Sequence, residues 1–289
     1  MTEPFVDTET DRTKAKWVGR IYDEFVRETG RSKITPRALF YYALQRKASD
    51  YPICGKFVGE IRILRPYHES DGEKLSKWMN KARMLGYIPA DAIIDEIFGE
   101  HIIPPSSTRR RPYSIEVWLN KSTLNPLLSS VCKKYGATLV SVQGRASDAA
   151  LDTLYGRCTS PIIILCLCDL NSDNAFFARD LAARIAGAKP LRSNLDLKLK
   201  CIGLLPEQIL TLKIPMVQNR PNSEENQERF KRYLKSHSLD SKKMAELDAL
   251  EVYYPGGIAG FVDDCLNQYK GNSNFDNESW LLDMRSCVT

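Results

Sequence analysis

Three groups of residues in this 289-residue chain have the types and spacing to act on phosphate esters. The stretch Cys168-Asp169-Leu170-Asn171-Ser172-Asp173-Asn174 directly follows an apolar run. Its carboxylate and amide oxygens suit a hard cation such as Mg²⁺. The same residues also suit a turn and the cap of a following helix. Glu116 stands four residues before Asn120 in IEVWLN, so both lie on one face of an extended segment. A carboxylate between Ile115, Val117 and Trp118 needs a partner if that face is buried, and is simply solvated if it is not. Tyr41 and Tyr42 form the third group. A tyrosine hydroxyl attacks a phosphodiester once a base or cation activates it. Arg37, four residues earlier on the same helical face, would lie beside Tyr41 and stabilise phosphate charge. Two tyrosines in an amphipathic helix serve equally well as core aromatics.

The elements that must position these groups fall into two halves. Residues 12–30 place Trp17, Ile21, Phe25 and Val26 at helical spacing, with Gly30 as a stop. Thr35-Pro36 reads as the cap and first position of a second helix. Residues 56–65 alternate imperfectly and read as a strand or wing, and residues 71–87 as a further amphipathic helix. Helices beside a short β-element predict a small helix-turn-helix or winged unit. Pro104 to Pro112, with its Arg109-Arg110-Arg111 triplet, reads as a linker. Beyond it, strands at 113–119, 137–142, 162–167 and 197–204 alternate with helices at 122–135, 146–158 and 174–186. That alternation predicts a parallel α/β sheet with right-handed crossovers, and such sheets bind ligands outside the carboxyl ends of their strands. The polar stretch 218–245 reads as an exposed loop leading into a charged helix. The expected organisation is 1–103, linker 104–112, α/β part 113–270 and tail 271–289.

Composition is ordinary for a globular chain, with 43% hydrophobic and 27% charged residues. Net charge is only +5, but the segment from Arg12 to Arg65 carries thirteen basic and five acidic residues. That local surplus is the footprint of a phosphate-backbone binder or of a solvated surface. Lys33, Arg46 and Lys47, with the Arg109–Arg111 triplet, are the candidate backbone contacts. No apolar run approaches 18 residues, so no membrane span is expected. Met1–Phe5 lacks the basic and apolar regions of a secretory signal, so a cytoplasmic location is expected. The eight cysteines show no C-x-x-C spacing and only three histidines exist, which argues against structural zinc and for reduced thiols.

Three pieces, in order, resemble a known family. Arg37-Ala38-Leu39-Phe40-Tyr41 is similar to an Arg-x-(Ile/Leu)-(Phe/Tyr)-Tyr motif. IEVWLNKSTL at 115–124, followed by ILCLCDLNSDN at 164–174, resembles the two acidic motifs of a Toprim fold. Glu246-Leu247-Asp248-Ala249-Leu250 resembles a Glu-(Val/Leu)-Asp-Ala-Leu motif near the end of that fold. Together they look like the A subunit of type IIB DNA topoisomerase (topoisomerase VI), the related meiotic break-forming protein and their short stand-alone prokaryotic relatives. Gly86-Tyr87-Ile88-Pro89 and Asp91-Ala92-Ile93-Ile94-Asp95 also match the short relatives. The resemblance spans roughly residues 15–268.

It implies a winged-helix (CAP-like) domain followed by a Toprim domain, Rossmann-like in its parallel sheet. It implies a nucleoid-associated homodimer on double-stranded DNA. Tyr41 would form a phosphotyrosyl link to one strand end, each protomer supplying one nucleophile, while Mg²⁺ on one Toprim domain serves the tyrosine of the other. No Gly-x-x-x-x-Gly-Lys-(Ser/Thr) loop is present, so ATP-driven strand passage would need a separate ATPase subunit or does not occur. Two departures bear on the metal. Asn120 stands where the family carries a catalytic Glu, and Asn171 where it carries the second Asp of Asp-x-Asp. Of three matched carboxylates only Asp169 remains, and fewer charged ligands mean weaker or lost Mg²⁺. Asp173 and Glu116 would compensate by a shift of register, and Asp248 or Glu246 by joining from the third motif. Three readings stay open: a DNA-cleaving topoisomerase-like enzyme, a binder that keeps the architecture without the metal site, and an unrelated α/β phosphate-binding domain.

Overall fold

The computed structural model describes residues 8–46, 54–58, 61–89, 91–94, 101–105, 113–188, 196–219, 224–269, 280 and 282–283. The chain forms two units, Met1–Asp95 and Glu96–Thr289. Lys47 and the Arg109, Arg110 and Arg111 triplet lie outside the described residues.

In the front unit, α1 (Glu9–Thr29) starts where the Thr8 hydroxyl accepts from the Asp11 amide at 3.1 Å. It stops at Gly30, whose φ of 69° suits a residue without a side chain. Helix α2 (Pro36–Gln45) opens as expected, with the Thr35 hydroxyl accepting from the Ala38 amide at 3.0 Å and Pro36 in the first position. Within 56–65, expected as one strand or wing, residues 56–58 and 61–64 belong to two short strands, β1 (Cys54–Val58) and β2 (Ile61–Leu64), paired antiparallel with Val58 opposite Ile61. Helix α3 (Gly72–Met84) follows. Aromatic edges join the helices: Trp17 of α1 meets Trp78 of α3 at 6.2 Å, and Phe25 of α1 meets Tyr42 of α2 at 5.4 Å. Before α3, the buried Asp71 takes both Arg65 guanidinium nitrogens at 2.7 Å and the Lys74 ammonium at 3.2 Å. Burial opposes ionisation of Asp71, but these donors outweigh it and hold its carboxyl below the usual range.

In the second unit, β3 (His101–Ile103), β4 (Ser114–Leu119), α4 (Asn125–Tyr135), β5 (Thr138–Ser141), α5 (Asp148–Arg157), β6 (Ile162–Leu167), α6 (Phe177–Ala188) and β7 (Leu197–Gly203) follow in order. Next come α7 (Pro206–Leu212), β8 (Val217–Gln218), α8 (Glu224–Ser236), β9 (Lys243–Met244), α9 (Leu250–Tyr253), α10 (Gly257–Asn267) and β10 (Leu282–Asp283). Among the described residues the main sheet runs β10-β7-β6-β4-β5-β3. Its four inner strands are parallel, as expected, and both edges are short antiparallel strands. His101–Ile103 therefore pairs with β5 in this sheet, so the boundary expected at residue 103 falls earlier, near 95. Between 218 and 245 the charged helix forms as α8, but the ends of the stretch pair as β8 and β9 rather than remaining a loop.

All six residues of β6 are buried, as its unbroken apolar run requires. Trp118, Val140, Ile164 and Cys166 face a core closed by Leu151 and Leu154 of α5 and Leu181 and Ile185 of α6. Helix α10 packs on α4. No described helix is long and apolar enough to cross a membrane.

Gly19 sets how closely α1 approaches the turn after α3. A Cβ there would stand 2.9 Å from both Cβ and the carbonyl oxygen of Tyr87. Gly19→Ala is expected to cost about 1–3 kcal/mol by overpacking, read as a lower urea midpoint with unchanged slope.

Candidate functional site

The site rises from the strand order. The chain runs from β4 to β5 on one side, then crosses back to β6 on the other, so the topology reverses between β4 and β6. Leu119 is level with Ser141 and Leu167, so the two loops leave the sheet side by side. One carries Asn120 and Lys121, the other Cys168 and Asp169. A crevice outside the carboxyl ends of strands, at such a reversal, is where open α/β sheets bind ligands.

Asp169 is buried, and its Oδ1 accepts from the Leu247 amide at 2.8 Å. Leu170 and Ala245 exchange backbone hydrogen bonds at 2.9 and 3.0 Å. These contacts draw Glu246-Leu247-Asp248-Ala249-Leu250 onto the loop that follows β6. Asp248 is 0% exposed. The Lys121 ammonium lies 2.5 Å from Asp248 Oδ2 and 3.8 Å from Glu246 Oε2. Burial pulls the Lys121 ammonium down, but the charges of Asp248, Asp169 and Glu246 together raise it above its ordinary value. Lys121 is a site residue that the sequence reading passed over. Its signal was a lysine directly after the position where an expected acid is missing, with two spare acids in the third motif.

Of the other expected metal ligands, Glu116 and Asn171 are engaged elsewhere. Glu116 is buried; its Oε2 accepts from Trp118 Nε1 at 2.7 Å, and Arg157, the last residue of α5, donates to both carboxylate oxygens at 2.7 and 2.9 Å. It is a structural ion pair rather than a ligand in a shifted register. Asn171 turns the chain: its Oδ1 accepts from the amides of Asp173 and Asn174 at 3.0 and 2.8 Å. Asp173 is exposed. Asn120 Oδ1 is buried with no hydrogen-bond partner among the described residues, as are Thr123 Oγ1 and Ser172 Oγ. Asn120 thus offers one neutral oxygen, and the carboxylates of Asp248 and Glu246 already face the Lys121 ammonium. This donor set does not fit Mg²⁺, which wants near-octahedral oxygen ligands and no competing cation. Among the described residues, no group of three or more His, Cys, Asp or Glu side chains is arranged to hold a metal ion.

In the front unit the Arg37 guanidinium lies beside Tyr41 as helical spacing demands, 5.5 Å from its ring and 4.2 Å from that of Phe40. The Tyr41 ring is 0% exposed and meets Phe40 edge-on at 5.3 Å. A phenol with no accessible surface cannot reach a duplex phosphate unless the unit opens. Tyr42 is buried as well and donates to Glu28 Oε2 at 2.7 Å. Burial and this hydrogen bond both push the Tyr42 phenol up, away from phenolate at neutral pH. Arg46 is bound by Glu24 at 2.9 Å and by Glu28, which offsets the charge it was expected to give to a nucleic acid. Lys33 is exposed. The sequence reading also passed over a stripe on α1: Arg12, Lys16 and Arg20, four residues apart, and Arg27 are all exposed, with exposed Asp23 between the last two. The signal was the four-residue repeat of basic residues opposite the apolar positions.

No protein-family model and no curated protein matches this chain.

Removing one partner of the Glu116–Arg157 pair strands a buried carboxylate. Arg157→Ala is expected to lower unfolding free energy by about 3 kcal/mol or more. Arg157→Ala combined with Glu116→Gln, which removes that charge and keeps an acceptor for Trp118, should lose clearly less. Urea melts of the native chain and the two variants check this.

Proposed function

We propose that this chain binds double-stranded DNA through its front unit and does not cut it, keeping a winged-helix and Toprim-like layout without the metal-assisted tyrosine chemistry. The observation that carries the reading is the basic stripe on α1. Arg12, Lys16 and Arg20 follow one another about 6 Å apart along the helix axis, on the face opposite the buried Trp17, Ile21 and Phe25. A row of cations at that spacing suits a phosphate backbone, where neutralised charges release counterions. The β1–β2 ribbon, between α2 and α3 in the chain, is in keeping with a wing. The reversal between β4 and β6 is in keeping with a Toprim-like sheet. The motif order of topoisomerase VI A subunits supports the same layout.

Against cleavage stand the buried Tyr41, the Tyr42 phenol tied to Glu28, and a strand-end cluster whose cation is already Lys121. The enzyme reading would need Tyr41 to emerge and a divalent ion to displace an ammonium.

Titrating duplex DNA at several salt concentrations tests the binding half. The native chain should bind with a steep salt dependence. Joint replacement of Arg12, Lys16 and Arg20 by Ala should flatten the log–log slope by about 2.7 if each contacts one phosphate. An unchanged slope would remove α1 from the interface, and no affinity at low salt would remove DNA as the ligand. Incubation with supercoiled plasmid and Mg²⁺ or Mn²⁺, stopped with denaturant, tests the other half. Covalent adducts that disappear in Tyr41→Phe would restore the enzyme.

A further inference from the structure

Asp248 has no accessible surface, and Asp169 and Glu246 lie close enough for their charges to act on the same ammonium. Three carboxylates brought together at the ends of two parallel strands repel one another and need a cation between them. In this chain that cation is part of the polypeptide. Lys121 leaves β4 one residue after Asn120 and enters the cluster, with Nζ 2.5 Å from Asp248 Oδ2 and 3.8 Å from Glu246 Oε2. Its side chain is only 21% exposed. We propose that the Lys121 ammonium is a built-in replacement for a divalent cation at the β4–β6 reversal, making the site independent of metal.

The chemistry differs from that of an ion in three ways. The ammonium cannot dissociate, so Asp248 keeps its counter-charge at any metal concentration. It carries one charge and can donate up to three hydrogen bonds, so it orients carboxylates but presents no coordinated water. It is tethered to β4, so it ties that strand end to the 246–250 segment, which Asp169 already holds through the Leu247 amide. Lys121 is therefore a positioning residue for the loop cluster. The proposal deepens the non-cleaving reading and rests on it in one respect, that no catalytic metal is required.

Thermal melts of the full chain in chelator, in Mg²⁺ and in Mn²⁺ test it, with NaCl matched for ionic strength. The native chain should melt at one temperature in all three, and calorimetry with MnCl₂ should give no saturable heat. Lys121→Met should melt lower by on the order of 10 °C, because Asp248 loses its partner. Mg²⁺ or Mn²⁺, but not matched NaCl, should recover much of that loss, since a ligand that binds only the folded chain stabilises it. Lys121→Arg keeps the charge and should stay indifferent to metal. Saturable Mn²⁺ binding to the native chain would overturn the proposal. So would a Lys121→Met variant that melts like the native chain or ignores divalent ions. If Lys121→Met does not fold, the native and Lys121→Arg titrations decide alone: silence in both upholds the proposal and binding in either overturns it. All these measurements use DNA-free protein, so a failure of DNA binding leaves them standing. Plasmid adducts would sink the non-cleaving reading without moving a melting curve.

Discussion

A carboxylate shut away from water must keep a cation or several donors beside it, and the second unit is arranged around that requirement. Asp248 is wholly buried and Lys121 is its counter-charge. For the two to meet, β4 and β6 must end level, the β6 loop must bend, and the chain must return about eighty residues later to lie against that bend. The Asp169 hydrogen bond to the Leu247 amide and the paired backbone of Leu170 and Ala245 bring it back. The strand-end cluster is thus as much a fastening of the fold as a feature of its surface. The low dielectric that makes an unpaired Asp248 intolerable also makes the Lys121 contact strong.

The same rule recurs at other buried acids. Glu116 lies inside the sheet with Arg157 and Trp118 as donors. Asp71 lies under Arg65 and Lys74. The exposed Glu28 likewise collects Tyr42 and Arg46 at the seam of α1 and α2. In each case a basic residue or phenol that looks available in the sequence is engaged locally. The surplus of positive charge in the front unit is therefore smaller in effect than its count.

Much of the architecture could be read in advance, because it is written in short-range patterns. The run Ile162–Leu167 is apolar at every position, which only a strand buried on both faces needs. Thr35-Pro36 and Gly30 mark helix ends through caps made within a few residues. The misread pieces were short or long-range. His101–Ile103 is too brief for a periodic signal, and its place at the sheet edge depends on β5, nearly forty residues away. Residues 56–65 hold Gly59 and Glu60 between two runs, and only the pairing of Val58 with Ile61 separates them into two strands. For the site, spacing correctly placed Asp169 at the end of a strand. It could not tell that Glu116 would turn to Arg157, or that Asn171 would be used by its own loop. Nor could it tell that Lys121 would reach an aspartate 127 residues later. Side-chain roles of this kind depend on the three-dimensional partner, which local pattern does not carry.

The margins of the main sheet have a further effect. Its outermost described strands are β3, of three residues, and β10, of two, both running against the inner four. A row of unpaired amides and carbonyls invites another chain to add on and extend the ladder, and the risk grows with the length of the row. Margins this short give such an addition almost nothing to register against, and the wholly apolar strand β6 lies in the interior of the sheet between β7 and β4, shielded from self-templating growth into fibres.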